Sequence, residues 1–421
     1  MNKERILALP GVFLPHNETI TQIAYKILCN LDYEIDILVF KAQKDKYFVD
    51  YLKKDSKFKK MHIHYIDIDW KELNINSNNF NIFKIKKYIN LYIKESINLA
   101  KSNKYKAVFS FSMPNYTHMA AYMIKKMYKD NIKWYASFSD PISNNLYIEQ
   151  FKKEKFKTKI LYVLLKITHY RKKYEKVSLN YADKLIFICK ELRDYITNKK
   201  EKYVSKSIIY PITYIKDWIN FQKLTSSAKE KNDNDKIVFA HFGNIYGLRK
   251  IDKFLKALNE LKSENKEIVK KIEIHQYGDV DKCQLANYNS YDLKSILHFH
   301  NRVDYDECID IMSKSDVLLI FDTIVEKNGI QPFLPSKITD YLLTNKPIFA
   351  ITLQNSPLYD IINKEHICVN NDSDEIKKAL TKQILNYKNI SNDIQKYDND
   401  YVSKKIFETE FKMINTGKGD K

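Results

Sequence analysis

Short runs of apolar and β-branched residues alternate with longer stretches of helical periodicity along most of the chain. Uninterrupted apolar runs are typical of strands that are buried on both faces, and their alternation with helices indicates parallel sheets covered on each side. In the first half, helices are predicted at Ile20–Leu31 and Ile82–Leu99, among others. The strands predicted there are Arg5–Leu9, Glu34–Phe40, Met61–Ile66, Ala107–Phe111, Lys133–Phe138 and Lys184–Ile188.

The polar stretch Thr225–Asp235 interrupts this pattern, as a linker or a surface loop does. The alternation then starts again, with a helix predicted at Lys250–Leu261 and strands at Ile237–Phe242, Ile272–Tyr277, Ile296–His300, Val317–Phe321, Ile348–Ile351 and Ile367–Val369. The pattern therefore predicts an α/β protein of two doubly wound Rossmann-like domains that face each other across a cleft, which is the expected ligand site.

The predicted division gives 1–205 to the first domain, 206–235 to a linker region, 236–395 to the second domain and 396–421 to a C-terminal helix and tail. That last helix, at about Tyr401–Ile414, has a pattern that fits packing on either domain. With 421 residues, of which 44% are apolar, the chain has enough material for two cores of about 200 residues each.

The formal net charge is +19, which fits either a polyanionic partner or a general enrichment in lysine. The five cysteines are scattered singly, as reduced thiols are, and neither a secretory signal pattern nor a run of eighteen apolar residues occurs. These features predict a cytoplasmic protein. The segment 151–176 is rich in Lys and Arg and also in Leu, Ile and Tyr, so it fits either a peripheral helix on an anionic membrane surface or a partly buried helix.

Glycine is scarce: the chain has seven, where average usage would give about thirty. Each is therefore positional evidence, and Gly11, Gly243, Gly278 and Gly329 adjoin predicted strands, where an α/β protein brings its backbone close to a ligand. The sequence contains neither G-x-G-x-x-G nor G-x-x-x-x-G-K-[ST]. A dinucleotide-binding dehydrogenase or a P-loop NTPase is therefore not expected.

The segment LPSKITDYLLTNKPIFAI, from Leu334 to Ile351, has the strongest chemical signal. It predicts a loop, a helix that begins near Ser336 as its N-cap, and a strand. Free amides of the first turn, together with the charge of Lys337, would bind a diphosphate. Asp340 follows one turn later and could accept hydrogen bonds from ribose hydroxyls. In FGNIYGLRK, Arg249 could bind phosphate oxygens through two nitrogens.

These motifs resemble those of GT-B glycosyltransferases, in the family 4 group of retaining enzymes. In the second half the matching segments are HFGNIYGLRK, HQYGDV, VDYDECIDIMSKSDVLLIF and PSKITDYLLTNKPIFAI. In the first half they are LALPGVFLPHNETITQ, SMPNYTHMAAYMIKK, WYASFSDP and YADKLIFICKEL, in the order of the family. The resemblance implies that the second domain binds a nucleotide sugar and the first binds the acceptor.

For the donor, the resemblance implies that Arg249 and Lys337 hold the diphosphate, with Gly243, Asn244 and Ser336 beside them. Asp340 takes the place of the second acid in the family's E-x7-E motif. The first acid falls at Pro332, which departs from the pattern. Gln331, Glu326 or the backbone after Gly329 are the candidates to hold the sugar ring instead. Asn345 replaces the family's usual glycine and is a residue that can adopt a positive φ.

On the acceptor side, the resemblance places Asp140 beside the reacting sugar and His118 at a neighbouring helix start, while Gly11 lets the first loop approach the donor phosphates. The cations would stabilise the negative charge of the leaving diphosphate, and no metal or other cofactor is required. His118 could equally be an ordinary helix-start histidine, and Asp140 could simply cap a turn.

The expected function is therefore a glycosyltransferase of cell-surface polysaccharide synthesis, with a nucleotide-sugar donor and a glycan or lipid-linked acceptor. One alternative is a nucleotide-sugar 2-epimerase on the same fold. Another is a basic nucleic-acid-binding protein, although lysine far outnumbers arginine and nucleic acid is not the expected partner. The acid pairs Asp67–Asp69, Asp279–Asp281 and Asp304–Asp306 occur at metal-motif spacing, but such pairs are expected by chance in a polar chain.

Overall fold

The computed structural model describes residues 3–72, 82–147, 167–218, 236–324, 330–362, 366–387, 390 and 392–410. The chain divides into two compact units. Unit 1 comprises the chain up to Thr213 and the stretch from Asn399 onward, and unit 2 comprises Tyr214–Asp398.

Unit 1 is built on a parallel sheet of seven strands in the order β3-β2-β1-β4-β5-β6-β7. The strands are β1 Arg5–Gly11, β2 Glu34–Phe40, β3 Met61–Ile66, β4 Tyr105–Phe111, β5 Lys133–Phe138, β6 Lys184–Phe187 and β7 Ser207–Ile209. The helices are α1 Thr19–Leu28, α2 Lys46–Lys54, α3 Ile82–Ser102, α4 Tyr116–Tyr128, α5 Ile167–Tyr181, α6 Lys190–Thr197 and α7 Glu201–Val204. The central strands are almost wholly buried because helices cover both faces of the sheet.

Unit 2 is built on a parallel sheet of six strands in the order β10-β9-β8-β11-β12-β13. The strands are β8 Ile237–Phe242, β9 Ile272–Tyr277, β10 Leu297–His300, β11 Val317–Phe321, β12 Ile348–Ile351 and β13 Ile367–Val369. The helices are α8 Asp252–Glu264, α9 Lys266–Lys270, α10 Lys282–Asn289, α11 Tyr305–Lys314, α12 Ile338–Leu342, α13 Pro357–Ile362 and α14 Ser373–Leu385. Both sheets have the Rossmann strand order. The first three strands follow one another across the sheet in one direction, and the fourth strand lies on the opposite side of the first.

The core of unit 2 shows why these sequences form these elements. On α8, Phe254, Leu255, Leu258 and Leu261 recur at helical spacing and are all buried against the sheet. Polar residues stop and start the helices around this core: the Asp372 carboxylate, for example, accepts hydrogen bonds from two amides in the first turn of α14. The two doubly wound cores predicted from the sequence are therefore confirmed.

The last described helix, α15 (Asn399–Glu410), belongs to unit 1. Asn399 is buried and fixes its start, because its Oδ1 accepts hydrogen bonds from the Tyr210 hydroxyl at 2.9 Å and from Thr213 Oγ1 at 2.7 Å. Its Nδ2 donates to the Lys26 carbonyl at 3.0 Å. The sequence pattern left the position of this helix open, and these side-chain contacts decide it.

Candidate functional site

The candidate site lies in unit 2 at the carboxyl end of β8, where the strand order reverses between β8 and β11. Open α/β sheets bind ligands at such a switch point. Gly243 follows β8 directly, with a φ of +127° that favours glycine. A Cβ atom there would lie 2.9 Å from Lys337 Nζ, so the absence of a side chain lets the lysine reach the loop.

The Lys337 ammonium takes part in a short network of hydrogen-bonded side chains. Its ammonium donates to the Phe242 carbonyl and to His241 Nε2, the latter at 2.9 Å. His241 Nδ1 in turn contacts Gln276 Oε1, and Gln276 Nε2 donates to the Gly243 carbonyl at 2.7 Å. Since the Gln276 oxygen faces Nδ1, that nitrogen carries the imidazole proton and Nε2 offers its lone pair to Lys337.

The electrostatics of these hydrogen-bonded side chains favour neutral partners for Lys337. Burial holds the pKa of His241 well below its usual range, and the charges of Lys337 and Arg249 lower it further. Burial also holds the pKa of Lys337 well below its usual range, with Arg249 as the next cause. The two cations therefore lie close enough to repel each other, and an anion placed beside them would relieve that repulsion.

Arg249 is oriented by the loop that follows Gly243. Its Nη1 donates to the Asn244 carbonyl at 2.9 Å, and the Asn244 side-chain oxygen accepts from the Asp279 amide at 3.0 Å. The Arg249 Nε atom is buried and has no hydrogen-bond partner within the described part of the chain. A buried donor without a partner is costly, which indicates a site for an anionic acceptor.

Asp322 follows β11 on the other side of the switch point and is buried. Its carboxylate accepts hydrogen bonds from Thr352 Oγ1 at 2.7 Å, from the Thr323 amide at 2.7 Å and from Gln331 Nε2 at 3.1 Å. Burial raises the pKa of Asp322 to about 6, against the opposing effect of the bonds from Thr352 and Thr323.

Gln331 was expected to contact the donor, and the structure places it in the interior instead. It is fully buried, and besides Asp322 its side chain donates to the Thr323 carbonyl and accepts from the Phe333 amide. It therefore supports Asp322, because no part of its amide is open to a ligand. The other candidates for the sugar ring, Glu326 and Gly329, lie outside the described residues.

The helix near Ser336 differs from the prediction. It begins at Ile338 with Lys337 as its N-cap, after a turn in which the Ile338 amide donates to the Pro335 carbonyl. Ser336 is therefore not the cap, and α12 has only five residues. Asp340 lies in the first turn of α12 and is half-buried.

In unit 1, Gly11 packs closely against a proline. It is buried with a φ of +78°, and a Cβ atom there would lie 2.4 Å from the Pro114 ring. The glycine thus makes room for a proline of its own unit. His118 is also fully buried: its Nδ1 lies 2.7 Å from Ser110 Oγ, while its Nε2 has no partner among the described residues. Burial lowers the pKa of His118 to about 3, so it is neutral.

Asp140 lies in the loop after β5, and α5 fixes this loop. The Glu175 carboxylate accepts hydrogen bonds from the amides of Ile142 and Ser143, at 3.1 and 2.9 Å. From the same helix, Arg171 donates to the carbonyls of Pro141 and Ile142. Burial raises the pKa of Asp140 to about 6, while the hydrogen bond from Ser139 and the charge of Arg171 act in the opposite direction.

The first sixteen residues of the basic segment 151–176 lie outside the described residues. In its remainder, Arg171 is buried, whereas Lys172, Lys173 and Lys176 are exposed. None of the described helices has the length and apolar character to cross a membrane. In the described ranges, no three His, Cys, Asp or Glu side chains are grouped so as to hold a metal ion. Of the acid pairs, Asp69 and Asp281 bond to nearby backbone amides.

The sequence analysis did not identify His241, Gln276 and Asp322. A signal was present: His241 and Gln276 are polar residues placed one position before the end of their strands, and Asp322 directly follows a third strand. The carboxyl ends of parallel strands share one edge of the sheet, so polar residues at these three positions are expected to converge.

No protein-family model and no curated protein sequence matches the chain. Solved structures do match over nearly its whole length. A glycosyltransferase from Rickettsia africae is 13% identical with a TM-score of 0.57, covering 99% of this chain and 100% of that one. The lipopolysaccharide outer core galactosyltransferase WaaB is 11% identical with a TM-score of 0.61, covering 97% and 99%. TarM from S. aureus, in complex with fondaparinux, alpha-GlcNAc-glycerol and UDP, is 9% identical with a TM-score of 0.54, covering 98% of each chain.

These likenesses extend across both units and agree with the two parallel sheets and their strand order. At such low identity they establish the fold and not the activity. The chain therefore has the GT-B fold, the architecture of these glycosyltransferases.

Proposed function

We propose that this protein is a retaining glycosyltransferase that transfers a sugar from a nucleotide-diphosphate donor to a glycan or lipid-linked acceptor of the cell surface. The main support is the pairing of Arg249 and Lys337 at the switch point of unit 2. Neither cation forms an ion pair within the described residues, and the partners of Lys337 are a neutral imidazole and a carbonyl. A diphosphate would supply the missing negative charge.

The chemistry needs little from the protein beyond placed charge. When the bond from the sugar C1 to the diphosphate breaks, positive charge develops on the ring and negative charge on the leaving group. Arg249 and Lys337 would stabilise that negative charge without rearranging during the step. We propose that Asp340 binds the ribose and that Asp140 acts on the acceptor side.

Two of the similar structures agree with this proposal. TarM was solved with UDP, which is the leaving group of a nucleotide-sugar donor, and WaaB is described as acting on the lipopolysaccharide outer core. We propose that the donor is a nucleoside-diphosphate sugar of this kind, that transfer occurs with retention of configuration, and that the enzyme works at the cytoplasmic face of the plasma membrane.

The test begins with thermal unfolding of the purified protein against a panel of nucleotides and nucleotide sugars, because a specific ligand stabilises only the folded form. Arg249→Ala and Lys337→Ala should abolish the stabilisation and lower turnover at least about tenfold. Lys250→Ala is the matched control, since Lys250 is an exposed cation next to Arg249. Wild-type binding and turnover in both site variants would refute the assignment.

The same assay separates the proposal from a 2-epimerase on this fold. A transferase releases nucleotide when an acceptor is added, whereas an epimerase converts its donor with no second substrate. Release of UDP that depends on a glycan or lipid-linked acceptor would support the transferase. Conversion of the nucleotide sugar to its epimer in the absence of any acceptor would overturn it.

A further inference from the structure

Unit 1 contains a cavity of about 620 Å³. It lies where the carboxyl ends of β1, β2 and β4 meet α3, and its apolar wall includes Val12, Ile20, Phe40, Ile85, Ile89 and Met113. This volume falls within the range of about 300–1,000 Å³ that is usual for small-molecule sites. All of its lining residues belong to unit 1, whereas the cationic site is formed by residues of unit 2.

Several of the polar groups in the wall are already paired with protein atoms. His16 Nδ1 lies 2.9 Å from the Gln43 carbonyl, and His16 Nε2 lies 3.1 Å from the Glu18 carboxylate. Trp70 Nε1 donates to the Lys41 carbonyl at 2.7 Å. A sugar would need partners for several hydroxyl groups, whereas a hydrocarbon chain needs none. The wall therefore favours a hydrocarbon.

Apolar side chains at the rim of the cavity are exposed to solvent. Trp70 and Met113 line the cavity yet remain 43% and 39% exposed, and Phe83, two residues before Ile85 on α3, is 81% exposed. The same end of α3 is cationic: the sequence from 82 to 90 contains Lys84, Lys86 and Lys87 and no acid. An anionic group at the end of the hydrocarbon would complement this charge.

We propose that this cavity binds the hydrocarbon chain of a lipid phosphate, with the phosphate beside the lysines of α3. That this lipid is the carrier of the sugar acceptor rests on the proposed function, but the binding itself does not. The hydrocarbon chain of the lipid enters between α3 and the loop after β4, and Ile85 and Ile89 contact its methylene groups.

The direct test is a titration of the purified full-length chain with alkyl phosphates of increasing length, kept below their micelle concentrations. Each added methylene should tighten binding about threefold until the cavity is filled. The matching alkanols should bind more weakly, and inorganic phosphate alone should show no binding. Affinity that does not depend on chain length would overturn the proposal, and alkanols that bind as well as alkyl phosphates would overturn its anionic part.

Ile89→Trp and Ile85→Trp fill the cavity from two positions and should weaken binding of the longer alkyl phosphates at least about tenfold. Met127→Trp is the matched control, because Met127 is an exposed residue of α4 outside the wall. Unchanged affinity in both cavity variants would refute this site. UDP binding, measured in the same samples, keeps the two proposals apart, because its absence in wild type refutes the donor site only. An unfolding temperature close to that of wild type shows that the variants are folded.

Discussion

His241 Nε2 accepts a hydrogen bond from the Lys337 ammonium at 2.9 Å, although the two residues are 96 positions apart. The imidazole can do so because Gln276 fixes the proton on its other nitrogen, so a neutral acceptor faces the cation. An acid at this position would neutralise the lysine and compete with a diphosphate. A neutral histidine positions the ammonium and leaves its charge available.

We expect His241→Phe to weaken binding of UDP about tenfold, because a hydrogen bond to a charged group is lost while the ring volume is nearly kept. Calorimetric titration with UDP measures this. His298→Phe on β10 is the control, since it removes a histidine elsewhere in the same sheet. If His241→Phe binds UDP as the wild type does and unfolds at the same temperature, the histidine does not position Lys337.

Binding of UDP should be coupled to uptake of a proton by Lys337. In the free protein, burial and Arg249 hold the pKa of Lys337 well below its usual range, so the amine loses its proton as the pH rises through that lowered pKa. A bound diphosphate favours the charged form and raises the pKa again. The affinity for UDP should therefore fall as the pH rises above the free-state pKa.

Calorimetry in two buffers of different ionisation enthalpy measures this proton uptake directly. Lys337→Met should abolish it, and Lys250→Met, which changes an exposed neighbour of Arg249, should leave it in place. Uptake that persists in Lys337→Met would assign the proton to another group, and the argument from burial of the lysine would then be wrong.

Much of the fold is predictable from the sequence because both sheets are buried on two faces. Runs such as Glu34–Phe40 and Ile237–Phe242 are mostly apolar, and the structure has these strands with the same bounds. The short strand Ser207–Ile209 was not predicted, whereas the equally short Ile367–Val369 was. The strand order also could not be predicted, because it depends on which strands pair.

Residues of the candidate site could be predicted only where a local sequence motif identifies them. Arg249 and Lys337 were proposed from their own motifs, and Asn345 has the positive φ, +53°, that its position requires. The contacts of Gly11 with Pro114 and of Gln331 with Asp322 could not be predicted, because these partners are not part of the motifs in which the two residues were found. The helix α12 begins later than predicted, because the residues expected to form its first helical turn belong instead to the turn that begins at Pro335.

Asp322 should make the protein less stable as the pH rises from about 4 to about 6. The pKa of Asp322 is about 6 in the folded protein, above the ordinary value of about 4. The folded state therefore binds more protons than the unfolded state in this range, and the free energy of unfolding falls as the pH rises. The shift corresponds to about 3 kcal/mol. Urea unfolding across this range should show a smaller decrease in Asp322→Asn than in wild type, and equal decreases would contradict the raised pKa.

Asp140 gives the transfer reaction an expected pH dependence. Burial raises the pKa of its carboxyl group to about 6, so the group is protonated below that pH and ionised above it. If the ionised form acts on the acceptor side, kcat should rise as the pH passes about 6, while the affinity for UDP should not follow the same curve. Asp140→Asn should lose transfer and keep UDP binding.

A second variant separates the carboxylate from the loop that holds it. Glu175→Ala removes the bonds to the Ile142 and Ser143 amides, which anchor this loop to α5. Loosening the loop should lower kcat and, because burial of Asp140 is then less complete, move the rise in kcat to lower pH. Glu191→Ala, on α6, is the control. A rise in kcat that stays near pH 6 in Glu175→Ala would mean that the anchor does not set the burial of Asp140, and collapse of UDP binding in Asp140→Asn would place that residue on the donor side.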